Sequence, residues 1–195
     1  NNPVKYVDPN GLDLQLAGTK EEQEMLLAML QRLTNYKLIL HQNGTVTHSI
    51  VKTENKNSDY QVGNTLLEQL CDQSSDTKTT TISITDQKSI THPADENAYN
   101  GVGSNAEIRF NPNENPSLIT QNEISKQVQQ EGRPAYIGLA HELIHGMHIN
   151  SGAARPKTIK LQSITTINGE KYLETLPLEE AITVGLHGVT SKGPT

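Results

Sequence analysis

The sequence has a single cysteine, Cys71, so neither an internal disulfide framework nor a cysteine-rich zinc module can be built from it. It has no tryptophan and one phenylalanine, Phe110, and its hydrophobic share is only 33%. The core it can form is therefore aliphatic and modest. Positive charge is also short: 16 basic residues against 22 acidic ones leave a net charge of −6. That balance gives no phosphate-binding footprint for DNA or RNA. The longest aliphatic run, residues 25–30, falls far below the roughly 20 residues that a membrane span needs. What fits in 195 residues is one loop-rich domain, an enzyme or a toxin, with room for a real core.

The patterning mixes helical and extended periods. Thr19 and Glu22 form a capping box ahead of a stripe of Met25, Leu26, Met29, Leu30 and Leu33. Residues 36–40 and 45–51 flank Gln42-Asn43-Gly44 and predict a hairpin. A second short helix carries Val62, Leu66, Leu67 and Leu70, and residues 79–85 are a β-branched strand. Residues 97–105 make a glycine- and asparagine-rich loop, whose Gly101-Val102-Gly103 tip is expected to be a mobile lip. Residues 106–110 follow as a half-buried strand, with Ile108 and Phe110 alternating with Glu107 and Arg109. A further hairpin is predicted from residues 157–166 and 171–173 around Asn168-Gly169.

The chemistry is concentrated in His141-Glu142-Leu143-Ile144-His145. Pro134 suits the first position of a helix running through this stretch. His141 and His145 are four apart, so their imidazoles leave the same helix face one turn apart and can reach one Zn²⁺ at roughly 2.0–2.1 Å. Glu142 falls to the side of that metal, where a bound water would sit. A carboxylate there can take the water's proton and deliver it to a leaving amine. This is the H-E-x-x-H pattern of zinc peptidases.

Catalytic zinc needs a third protein ligand and one open position. The metzincin layout would require a glycine at position 148 and a histidine at position 151; the chain has His148 and Ser151, which excludes it. His148 is left as a residue that supports a ligand or merely occupies the helix face. Downstream, Glu179-Glu180 with Thr183 and Gly185 follows Pro177, expected to open a helix. In these residues the chain resembles the NleD-like effector metallopeptidases and, distantly, the clostridial neurotoxin light chains, in which an E-E-x-x-T-x-G segment follows the H-E-L-I-H helix. The resemblance implies Glu180 as the third zinc ligand and Glu179 as a residue orienting a ligand. The neurotoxins stabilise the oxyanion with an R-x-x-Y segment far downstream, so the resemblance implies a continuation past Thr195. Within the chain Tyr172 and Tyr136 are the stand-ins.

The start of the chain carries a second pattern: Pro3, Asp8, Pro9, Gly11 and Leu12. It resembles the P-x4-D-P-x-G-L signature that closes the shell of Rhs (YD-repeat) toxins. The resemblance implies that Asp8 is one of two autoproteolytic aspartates and that the cut falls between Leu12 and Asp13. Residues 1–12 would then end a shell, and residues 13–195 would be the toxin domain.

The expected fold is α+β and zincin-like, a small mixed or antiparallel sheet packed on the motif helix, with residues 106–110 as the edge that holds an extended peptide. The expected function is a zinc endopeptidase with one Zn²⁺ per chain, Glu142 as general base and His141, His145 and Glu180 as ligands. Its partners would be a protein in a target cell, the Rhs shell before release and a cognate immunity protein. A bacterial secretion system would deliver it. The rival readings are a zinc-stabilised binding domain without catalysis and a zinc amidohydrolase acting on a non-protein substrate.

Overall fold

Leu14 and Leu16 sit two residues apart and so point the same way from an extended chain. In the computed structural model they are buried in the middle of a six-stranded sheet, on strand β1 (Asp13–Leu16). The structure describes residues 13–49, 60–71, 78–114 and 134–156, with the backbone of six short strands between 158 and 194. After β1 come helix α1 (Lys20–Gln31), strands β2 (Lys37–Leu40) and β3 (Thr45–Ser49), and helix α2 (Gln61–Cys71). Strands β4 (Thr79–Ile84) and β5 (Ile90–Pro93), one turn of 3-10 helix (Glu96–Tyr99), strand β6 (Ala106–Phe110) and helix α3 (Ala135–Asn150) complete the main body.

The sheet runs β2-β3-β1-β4-β6-β5. β4 is parallel to β1 and β6, whereas β3 is antiparallel to β1 and β2, and β5 is antiparallel to β6. Residues in register share a face, and Leu16, Ile82 and Ile108 stand side by side across three strands. With Leu14, Val46 and Phe110 they build one apolar face, which α1, α2 and α3 cover. The described part is thus a mixed α+β fold with three helices.

The capping box of α1 forms as expected: the Glu22 amide donates to Thr19 Oγ1 at 3.3 Å, and the Thr19 amide to Glu22 Oε2 at 2.7 Å. Leu26 and Leu30 are fully buried, and Met25 stays exposed at the margin of the stripe. In α2, Leu66, Leu67 and Leu70 enter the core, but Val62 is 78% exposed and does not. Val62 lies in the first turn, at the margin of the stripe of Leu66, Leu67 and Leu70. The hairpin of β2 and β3 turns at Gly44, whose φ of +87° suits only glycine, and pairs Leu40 with Val46.

Two expectations are overturned. Residues 106–110 alternate as predicted, but β6 is paired on both sides and is not an edge. Among the described residues the edges of this sheet are β2 and β5, and the one beside β6 is β5, a strand of four residues that ends at Pro93. The 101–103 tip is not a loose lip either. Gly101 N donates to Gly152 O and Ser104 N to Ile149 O, each at 3.0 Å, which stitches the loop to the end of α3. Gly103 has φ +87°, and a β-carbon on it would come 1.9 Å from the Asn150 carbonyl oxygen, so only glycine lets the two segments approach.

In the last part of the chain the second hairpin is present, with Ile164–Thr165 paired to Lys171–Tyr172. Pro177 closes strand Thr175–Pro177, which pairs with Thr158–Lys160, and a proline is tolerated at a strand end because its missing amide breaks no interior rung. The helix expected from there onward falls on residues outside the described ones. Among the described residues no helix is long and apolar enough to cross a membrane.

Candidate active site

α3 starts at Ala135, just after Pro134, whose carbonyl accepts from the Ile137 amide at 2.9 Å. Proline thus sits one position earlier than expected, at the cap. Leu139 and Leu143, both fully buried, seat the helix against the sheet. At 3.6 residues per turn, His141 and His145 leave the helix on another side, and Glu142 leaves it between the two directions, toward β5.

The two imidazoles converge. His141 Nε2 and His145 Nε2 are 3.1 Å apart, with ring centroids at 4.7 Å and planes nearly perpendicular at 86°. Two nitrogens each roughly 2.0–2.1 Å from one zinc ion would lie about 3.1 Å apart at an angle near 100°. The pair therefore fits two corners of a tetrahedral site. His145 is buried and His141 partly so, which fits ligands held in place by their surroundings.

Glu142 is fixed by a residue that carries no signal in the sequence. Thr91 on β5 donates its hydroxyl to Glu142 Oε2 at 2.6 Å, with Glu142 O at 3.3 Å. Thr91 pairs with Ile108, so it shares the face of the sheet that α3 covers. Ile90-Thr91-His92-Pro93 is too short to show a period, and only its β-branched pair hints at a strand.

Of the other expected site residues, His148, Tyr136 and Asp13 fall among the described ones. His148 lies one turn beyond His145 and is partly buried, and among the described residues no three His, Cys, Asp or Glu side chains form a metal-binding group. Tyr136 is turned to α1, where the Arg32 guanidinium carbon lies 4.3 Å from its ring centroid. That cation–π contact places it away from the oxyanion role given to it above. Glu179 and Glu180 lie outside the described residues, as do Asp8, Leu12 and the side chain of Tyr172; Asp13 is the first residue of β1.

α3 thus brings two imidazoles together beside a braced carboxylate, and the sequence around it matches a known family. Residues 47–193 match the model of the Peptidase_M91 family, described as effector protein. The chain belongs to that family. The match takes in well over half of the chain, including α3 and the Glu179-Glu180 pair, while β1, α1 and β2 precede it. No curated protein matches the chain. As a member of Peptidase_M91 it is a peptidase effector, which agrees with the protease activity and the protein substrate expected from the H-E-x-x-H motif.

Proposed function

We propose that this chain is a zinc-dependent endopeptidase, carried by an Rhs shell, delivered by a bacterial secretion system into a target cell, and cutting a protein there. The observation that supports this most directly is the 3.1 Å approach of His141 Nε2 to His145 Nε2 on the helix that also bears Glu142. His141, His145 and Glu180 would hold one zinc ion per chain, with Glu179 orienting a ligand. Bound zinc would supply a water of pKa about 7 and polarise the scissile carbonyl. Glu142 takes the proton of the attacking water and passes it to the departing amine. The substrate backbone lies along β5, the exposed edge nearest α3, as an added strand.

The autocleavage attributed to Asp8 would fall between Leu12 and Asp13 and so release the domain at the first residue of β1. A cognate immunity protein would protect the producer. The rival reading, a domain that zinc merely stabilises, sits poorly with an α3 that the fully buried Leu139 and Leu143 already seat against the sheet. Removing the metal with a chelator is expected to stop cleavage and leave the fold.

The test combines metal analysis with a map of new protein N-termini in target-cell extract. Wild type and Glu142→Ala should both hold about one zinc per chain, and only wild type should produce fragments. The same fragments from the mutant would remove hydrolysis at this site as the mechanism.

A further inference from the structure

We propose that Thr91 is a positioning residue for Glu142, holding the general base in its working orientation from the edge of the sheet. This rests on the zinc peptidase reading of the site. A helical glutamate has three side-chain torsions and can spread over many rotamers, only some of which face the histidine pair. The contact at Oε2 removes that freedom at one oxygen and leaves Oε1 to receive a proton. Thr91 has one hydroxyl proton for two nearby acceptors. The carboxylate contact is the shorter, 2.6 Å against 3.3 Å to the carbonyl, and a charged acceptor makes the stronger bond.

Thr91 is suited to this because it is itself held. Its β-branched side chain has few rotamers, and its neighbours Ile90 and His92 are in register with Arg109 and Glu107 of β6. The brace therefore joins two rigid elements, strand and helix, and it lies on the strand assigned to the substrate backbone. A peptide added to β5 would register against the same residue that orients the base.

The experiment compares Thr91→Val, which keeps the shape but not the hydroxyl, with Thr91→Ser, which keeps the hydroxyl. The substrate is a synthetic peptide spanning one cut found in the fragment map. For Thr91→Val, kcat should fall about tenfold to a hundredfold, the scale of a slightly misplaced catalytic group, with KM and zinc content unchanged. Thr91→Ser should restore most of the loss. An unchanged kcat in Thr91→Val, with wild type active, overturns the role of Thr91 and leaves the peptidase reading standing.

A second measurement needs no activity. In zinc-free protein, Thr91→Val should lower the thermal midpoint of wild type by several degrees and have much less effect in a Glu142→Ala background. Equal shifts in both backgrounds would show that the hydroxyl does not act through Glu142. Loss of the peptidase reading would appear separately, as an absence of fragments with wild type.

Discussion

Gly146 lies against Thr80 so closely that a β-carbon on the glycine would come 3.3 Å from Thr80 Cγ2 and 3.5 Å from Ile108 Cδ1. It directly follows His145, so this contact sets how near the histidine pair stands to β4 and β6. Alanine at this position gains about 0.8–1.0 kcal/mol of helix propensity and must displace Thr80 slightly. The two effects oppose, and Gly146→Ala should change stability by less than about 1 kcal/mol in urea denaturation. Gly146→Val has no such balance. It should cost about 1–3 kcal/mol and, by tilting α3 off the sheet, weaken zinc binding in a titration of the same variant.

One turn further along α3, Asn150 ties the helix to the sheet. Thr80 Oγ1 donates to Asn150 Oδ1 at 2.6 Å, Asn150 Nδ2 donates to Ser104 O at 2.9 Å, and both side chains are buried. Thr80→Val removes the hydroxyl and strands Oδ1 away from water, which should cost about 1–3 kcal/mol. Thr80→Ser keeps the bond and loses a methyl group, for about 1 kcal/mol. Chemical denaturation that ranks valine above serine in stability would show that the bond contributes nothing net.

How much of this could be read from the residues depends on whether the signal is local. Thr19 with Glu22, the leucine stripe of α1, the turn at Asn43-Gly44 and the His141/His145 spacing are all settled by contacts a few residues apart, and each appears in the structure. β1 and β5 were not expected. Each is four residues long and owes its place to partners far away: Leu14 beside Thr80, and Thr91 beside Ile108. Taking β6 for the edge followed from that gap, since alternation tells which face of a strand is buried but not whether another strand lies beyond it. Pro177 shows the same limit. Proline suits a strand end as well as a helix start, and the pairing of Pro177 with Thr158 is set by a partner far away in the sequence.

The two neighbouring carboxylates downstream should differ in kind. In competition with a chelator, Glu180→Gln should abolish measurable zinc retention, because it would remove the proposed third ligand. Glu179→Gln should weaken binding by about 10–100-fold, the effect of losing a residue that orients a ligand. The opposite ranking would move the third ligand to Glu179 and leave the histidine pair in place.

Away from the site, Tyr36 donates its phenol to Glu68 Oε1 while its ring stacks on His48 at 5.2 Å. The bond to the carboxylate, the burial of the phenol and the repulsion a phenolate would feel from Glu68 all raise its pKa above the ordinary 10.0. Near pH 10 the unfolded chain therefore loses this proton while the folded chain keeps it. The folded state then binds more protons, so stability falls as pH rises from there through the folded pKa. Below pH 10 the contribution is fully present. Tyr36→Phe removes the bond and should cost about 0.5–1 kcal/mol at neutral pH, a small value because the carboxylate is close to solvent. The gap between wild type and variant should then narrow as pH climbs past about 10. Urea midpoints for both proteins at a series of alkaline pH values measure it directly, and two parallel curves would show that the phenol does not titrate differently on folding.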